Sequence, residues 1–271
     1  MLCRAKINLT LHVGAPLPSG RWQGYHPVES LVVFADIGDH IAFGPSADDR
    51  HSLALNGPFA GKLQAGPDNL VVQALEACDA LPTHAVLTKS LPVSAGLGGG
   101  SANAAAVLRA FDPQGEADAA ALGADVPVCR LSRTAMMEGI GERITAMPAL
   151  GRIPAVLVNP GVAVPTGEVF ALYDAGTVPS VPGTTVRSGT LLDRAVSGRN
   201  DLEETAIAIQ PVIAELLARL GAQEGCALAR MSGSGATCFG LFDTMEAAQR
   251  AARDLERDGW WVAPVWLGDD D

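Results

Sequence analysis

Residues 91–108 read LPVSAGLGGGSANAAAVL, with four glycines between positions 96 and 100 and an alanine-rich run behind them. Glycine loses more backbone entropy on folding than any other residue, so a cluster of them weakens regular structure unless the chain needs the freedom. Two familiar uses fail on spacing. A GxxxxGK[ST] loop requires a lysine that does not follow here, and in a GxGxxG fingerprint the third glycine would stand where Ser101 is. What remains is the physics both motifs share. Glycines let backbone N–H groups close around an anion, and a helix starting just behind them adds free amides and a positive dipole end. The run from Ser101 to Leu108 is a good helix start, with Ser101 or its neighbour able to cap it, and Asp112-Pro113 predicts its end. A flexible turn before an ordinary helix is the competing reading, so the rest of the chain has to decide.

The chain has 271 residues, enough for a large core and one or two domains. A net charge of −11 argues against a general nucleic-acid or anionic-membrane surface. It also means that a phosphate ligand must be held locally, by a few cations and N–H groups. Only three lysines are present, Lys6, Lys62 and Lys89. The five cysteines are widely spaced without a CxxC pair, which fits a reducing cytoplasm rather than a disulfide framework or zinc site. The histidines lack HExxH or similar metal spacing. No basic segment followed by an apolar run opens the chain, and no apolar run is long enough to span a bilayer, so neither a secretory leader nor a membrane partner is expected.

Strands are predicted over 6–13, 30–37, 85–88, 155–158, 227–231, 237–242 and 260–267. Apolar spacing predicts a helix over 69–81 and a short helical piece over 117–122. Asp201 with Glu204 has capping-box spacing ahead of a helix that Pro211 should kink or split, and Asp243 with Glu246 marks another helix start. Residues 177–189, rich in Pro, Ser, Thr and Gly, read as a mobile connection. Mixed, irregularly spaced strands and helices make an α+β protein with two lobes the expectation. A boundary near Leu150 is expected, where Gly151 to Pro154 reads as a junction, giving domains over 1–150 and 151–271.

Three separated segments carry chemistry: Ala5-Lys6-Ile7-Asn8-Leu9 at a strand start, the glycine loop, and Leu122-Gly123-Ala124-Asp125-Val126-Pro127. A lysine and a carboxylate beside an anion cradle are the parts needed to activate a hydroxyl for phosphoryl transfer, which is largely positioning and charge neutralisation. Taken singly, Asp125 reads as a helix cap and Lys6 as a solvated surface residue. The second Gly/Ser turn, residues 232–236, lies between two predicted strands.

With these segments in view, the chain resembles the GHMP kinases. The motifs that carry the resemblance run nearly end to end: AKINL (5–9), GYH (24–26), DNLV (68–71), GLGGGSAN (96–103), LGADVP (122–127), NPG (159–161), PTGEVF (165–170), NDLE (200–203) and MSGSGATCF (231–239). The resemblance implies a nucleotide-binding N-terminal lobe and a ferredoxin-like αβ C-terminal lobe with the active site between them. It implies ATP and Mg2+ as cofactors, the metal held largely by the ATP phosphates. By similarity, Asp125 is the base that takes the hydroxyl proton, and Lys6 pairs with it and stabilises negative charge at the transferring phosphoryl. Pro92, Ala95, Gly96, Leu97, Gly98, Gly99, Gly100, Ser101 and Ala102 are implied around the ATP phosphates, and Asn69, Leu70 and Val71 around adenine. Asn8 and Thr166 are implied to contact the acceptor. Tyr25, His26 and Phe170 resemble a cytosine site, with the ring stacked between Tyr25 and Phe170 and its polar edge on His26. That points to the branch acting on the 2-hydroxyl of a cytidine-diphosphate-linked polyol in the non-mevalonate isoprenoid pathway.

The pattern departs from the family at Arg4, where Pro is usual, and at Gln23, where an acidic residue is usual. The segment 111–121 is short, and Gly99 and Gly100 stand where relatives place a magnesium-binding serine, so no protein ligand of the metal is assigned. A homoserine or mevalonate kinase, or a non-catalytic nucleotide-binding protein on the same fold, are the alternatives. A cytoplasmic monomer or weak homodimer without nucleic-acid or membrane partners is expected.

Overall fold

The computed structural model describes residues 1–149, 151–257 and 259–269. In chain order the strands of the first half are β1 (Leu2–Asn8), β2 (His12–Val13), β3 (Val28–Pro45), β4 (Ser52–Asn56), β5 (Thr83–Thr88), β6 (Ala135–Gly139) and β7 (Arg143–Ala146). Its helices are α1 (Leu70–Ala77), α2 (Gly99–Phe111), α3 (Ala119–Leu122) and α4 (Val126–Leu131). The second half holds β8 (Gly151–Asn159), α5 (Thr166–Asp174), α6 (Leu191–Ser197), α7 (Glu203–Ile209), α8 (Val212–Gly221), β9 (Cys226–Met231), β10 (Cys238–Phe242), α9 (Met245–Leu255) and β11 (Trp261–Asp269).

The strands join in one mixed sheet along the path β4-β5-β3-β11-β8-β10-β9, with β1, β2 and β6 also paired to β3 and β7 to β6. Only β4 and β5 are parallel; the other pairs described are antiparallel. The long strand β3 organises the first half, and its Leu31–Ala35 run is fully buried because both faces are covered. On one face Val32 and Phe34 join the core under α1, α2 and α4. On the other, Leu31, Val33 and Ala35 meet Leu97, Leu157 and Phe239. A further core lies under α5, α7, α8 and α9. α9 shows why these helices form where they do. Thr244 caps it by accepting from the Ala247 amide at 3.1 Å, and Ala247, Ala248, Ala251, Ala252 and Leu255 make one buried stripe.

Several sequence expectations change. The strand expected over 6–13 divides into β1 and β2, because the chain turns over β3 between Leu9 and Leu11. Pro211 does split its helix, at the α7–α8 join. The junction expected at Gly151–Pro154 is the start of β8, paired antiparallel to β11, and Leu150 itself lies outside the described residues. The Asp201–Glu204 capping box is not formed: Leu202 holds the cap position without a side-chain bond, and the Asp201 carboxylate accepts from the Val13 amide at 2.9 Å. The capping box is instead Thr190 with Asp193, ahead of α6. The 177–189 segment has no regular structure but is tied down. Thr185 is buried, its amide donates to Glu29 at 2.5 Å and its hydroxyl meets that of Thr10 at 2.8 Å.

Candidate active site

A cavity of about 1060 Å³ runs between the glycine loop, the β1 end, the 24–28 loop and α5. Its size exceeds that of a common single-ligand pocket, which leaves room for a nucleotide and an acceptor together.

The loop is built as the opening stretch requires. Gly98 adopts the left-handed conformation, φ 61° and ψ 20°, and holds the position ahead of α2, so the helix begins at Gly99 rather than at Ser101. The first amides of α2 have no partner within the helix and lie on the cavity wall. A side chain at Gly98 would also meet Lys6, 3.0 Å from its Cβ and 3.1 Å from its Cε. Glycine there lets the lysine pass against the loop. The Lys6 amide donates to Leu97 O at 2.9 Å, fastening β1 to the loop backbone.

Lys6 is 3 % exposed, so it is no solvated surface lysine. Its ammonium donates to Asn8 Oδ1 at 2.8 Å and pairs with Asp125 Oδ2 at 2.8 Å. Asn8 is held in turn, donating through Nδ2 to the Ser30 hydroxyl at 2.8 Å. Asp125 stands at the N-cap position of α4, but its side chain makes no capping bond; the carboxylate is spent on Lys6. The short segment before it is locked by Asp112, which accepts from the Gly115, Glu116 and Ala117 amides and from Arg130. The Glu116 and Ala117 amides, with the Arg130 guanidinium, hold the Asp112 carboxyl below the usual range. Trimming the segment therefore leaves the Lys6–Asp125 pair closed. Burial pushes the Cys3 thiol up to about 12 and raises those of Cys129 and Cys238, so these three are poor nucleophiles.

The second Gly/Ser turn braces the first. The Ser232 hydroxyl donates to Gly96 O at 2.9 Å and accepts from the Asn8 amide at 3.1 Å, while the Thr237 amide reaches Ala95 O. A Cβ on Gly96, where φ is +74°, would fall 2.2 Å from Ser232 O. Gly96→Ala is therefore expected to destabilise the fold by about 2 kcal/mol or more and to raise the KM for ATP. Thermal unfolding and ATP titration check this; an unchanged Tm and KM would show that the two turns need not touch.

At the other end of the cavity, Thr166, Phe170 and Asp174 fall on one face of α5 at fourfold spacing and all reach the wall. The His26 and Phe170 rings pack with centroids 4.6 Å apart. Tyr25 is half exposed and leans its ring against Trp22, 5.6 Å away. Pro92, Ala95, Leu97, Ser101, Asn69 and Leu70 also lie on the wall. Asn69 caps α1, accepting from the Val71 amide at 3.0 Å. Val71 and Ala102 do not join them: their side chains are buried in the core under α1 and α2.

Sequence reasoning missed further groups. Lys89, on the cavity wall, donates to Asp39 behind it at 2.6 Å, both buried against Gly99 in the first turn of α2. The scarcity of lysines and the place of Lys89 three residues before Pro92 were a usable signal. Asn200 donates to Met231 O and Gly233 O, bracing the second turn; the NDLE motif marks the residue but not these partners. Arg4, the departure at the first motif, donates to Phe34 O, Ala35 O and Gly268 O and pairs with Asp269.

The chain as a whole is similar to known proteins. The description "GHMP kinases N terminal domain" matches residues 69–129, and "GHMP kinases C terminal" matches residues 187–259. The 4-diphosphocytidyl-2-C-methyl-D-erythritol kinase of Dinoroseobacter shibae is 47% identical, the match covering 97% of this chain and 93% of that protein. The enzyme of the same name from Cereibacter sphaeroides is 48% identical over 97% of this chain and 96% of its own. The chain belongs to the GHMP kinases. It is an ATP-dependent kinase of α+β fold. A crystal structure of 4-(cytidine 5'-diphospho)-2C-methyl-D-erythritol kinase matches all of this chain and 99% of its own, with a TM-score of 0.78 at 32% identity. The homoserine kinase of Cytophaga hutchinsonii, at 14% identity and a TM-score of 0.60, shares the GHMP kinase fold.

Proposed function

We propose that this chain transfers the γ-phosphoryl group of ATP to the 2-hydroxyl of 4-diphosphocytidyl-2-C-methyl-D-erythritol, giving the 2-phosphate and ADP in the non-mevalonate route to isoprenoid precursors. The observation that carries the chemistry is the closed Lys6–Asp125 pair against the glycine loop. The substrate reading is supported by relatives of that name across 97% of the chain and by His26 and Phe170 stacked at the far end of the cavity.

The geometry supports the following roles. The loop amides and the first turn of α2 cradle the ATP phosphates. Asp125 has Oδ2 engaged by Lys6 and takes the hydroxyl proton as the oxygen attacks the γ-phosphorus and ADP departs. Lys6 balances the charge gathering between carboxylate and phosphoryl, and Asn8 keeps its ammonium aimed. Among the described residues no cluster of three His, Cys, Asp or Glu can hold a resident metal. Magnesium would be brought in on the nucleotide and held by its phosphates and water. When bound, it neutralises the phosphate charge. The two lobes are assigned to residues 1–150 and 151–271, the assembly to a monomer or weak homodimer, and the compartment to a reducing cytoplasm in keeping with five free cysteines.

Phosphorus NMR of the protein with Mg-ATP and, in separate tubes, the cytidine acceptor, homoserine and mevalonate tests this. A new phosphomonoester signal in the first tube alone is expected. Signal only with homoserine or mevalonate would discard the cytosine site, and silence in all three would discard the acceptors. Tyr25→Ala is expected to raise the KM for the cytidine acceptor about 5- to 150-fold, the equivalent of about 1–3 kcal/mol for one stacked base. The KM for ATP should be unmoved. An unchanged acceptor KM would remove Tyr25 from the clamp.

A further inference from the structure

Asp174 is the last residue of α5, and no basic residue stands in that last turn. A carboxylate there faces the negative end of the helix dipole and is disfavoured. Its compensation is specific. His26 Nε2 lies 2.7 Å from Asp174 Oδ1. The His26 side chain is only 8 % exposed against 38 % for Asp174, so the carboxylate comes in from the solvent side to grip a ring otherwise enclosed. Phe170, one turn back on the same helix face, packs on that ring. Tyr173 stands edge-on to it at 6.4 Å and anchors the end of α5 by donating to Val13 O at 2.8 Å. Asp174 and His26 both line the acceptor end of the cavity. Among the described residues, His26 Nδ1 has no hydrogen-bond partner.

An imidazole's two nitrogens are not equivalent, and the bond made by one fixes what the other can do. A carboxylate only accepts, so in the neutral ring the proton must sit on Nε2 and Nδ1 must carry the lone pair. We propose that Asp174 is the positioning residue that sets pyrimidine specificity: by accepting the Nε2–H of His26, it leaves Nδ1 as an acceptor for the base edge. Cytosine offers a 4-amino donor there and is matched. Uracil offers a 4-oxo acceptor, which sets lone pair against lone pair and is rejected. A site built to bond one polar edge discriminates strongly because the wrong ligand leaves buried groups unpaired. The inference rests on the cytidine-acceptor reading above and adds to it a residue outside the clamp itself.

The test has two arms. Long-range proton–nitrogen NMR of histidine-labelled protein, with His26→Gln identifying the resonance, reads the tautomer directly in the wild-type chain. Nε2–H is expected, and a ring protonated on Nδ1 overturns the proposal. Kinetics then compare cytidine- and uridine-diphosphate-linked polyols. Asp174→Asn can either accept from Nε2 or donate to it, so it keeps the contact but no longer dictates the tautomer. It should lower the cytidine-over-uridine ratio of kcat/KM at least tenfold, with the loss in KM and not in kcat, and Asp174→Glu should recover part of the ratio. An Asp174→Asn enzyme with wild-type discrimination overturns the proposal even if its Tm has fallen. Failure of the substrate reading is separate and shows first in the wild type, as no turnover of the cytidine acceptor.

Discussion

Asp125→Asn is expected to lower kcat by about 10²- to 10⁴-fold, the usual worth of a positioned general base, while the affinity for ATP stays close to that of the wild type. Asparagine is nearly isosteric, and its amide oxygen can still accept from the Lys6 ammonium that Asp125 Oδ2 now meets at 2.8 Å. Geometry is kept and only the capacity to take a proton goes. The glycine loop is fastened elsewhere, to the Lys6 amide through Leu97 O and to Ser232 through Gly96 O, so nucleotide binding has no reason to follow. Residual activity should remain well above the uncatalysed rate, since phosphoryl transfer draws mainly on positioning and charge neutralisation. Lys6→Met should also be severe, because it leaves Asp125 and the buried Asn8 oxygen without their shared donor. Because the two act as a unit, the double variant should fall little below the worse single one. Single-turnover kinetics with calorimetric ATP binding separate these effects. Full activity in Asp125→Asn would remove it as the base.

What the sequence reveals and hides follows from the range of the forces involved. The glycine loop, the end of α2 before Asp112-Pro113 and the break at Pro211 are local, since glycine and proline dihedral limits act on their own neighbours. Capping is less legible. Asp201 and Glu204 have the spacing of a capping box, but Asp201 bonds the Val13 amide and Glu203 bonds the Met231 amide. A polar side chain goes to the best donor in space, and sequence order does not reveal it. α2 starts two residues ahead of the expected Ser101 because Gly98, in its left-handed conformation, takes the cap position. Lys6 and Asp125 are readable as a pair through the motif resemblance, whereas His26 lies in the GYH motif but its partner Asp174, 148 positions away, belongs to none. Val71 shows the opposite error. A motif marks a segment, but each residue of a helix points about 100° away from the one before it, so Leu70 reaches the wall while Val71 turns into the core.

The pair beneath the loop carries the largest expected effect on stability. Asp39 is fully buried and Lys89 is 3 % exposed. The carboxylate accepts from Lys89 Nζ at 2.6 Å, from the Ser90 and Leu91 amides at 2.8 and 2.9 Å, and from Asn103 Nδ2 at 3.2 Å. Asp39→Ala strips all four donors at once and leaves an ammonium buried without its counter-charge. Breaking a buried pair from one side typically costs about 3–5 kcal/mol, and each orphaned amide adds a penalty of its own. A loss of at least about 4 kcal/mol, or a fall in Tm on the order of 10 °C, is expected. The cost should also reach function. Asn103 sits on α2, Ser90 and Leu91 lead into the glycine loop, and a Cβ on Gly99 would lie 3.0 Å from Lys89 Nζ, so this carboxylate fixes the loop entry against the helix that follows it. The KM for ATP should rise with the loss of stability. Asp39→Asn, which keeps an acceptor for the two amides, should be milder. Pairing Asp39→Leu with Lys89→Met removes both charges and should cost less than the two single losses added together. Denaturant unfolding of the four proteins closes that cycle. If the double variant falls as far as the sum, the ion pair is not a coupled unit and the amide bonds alone hold the loop entry in place.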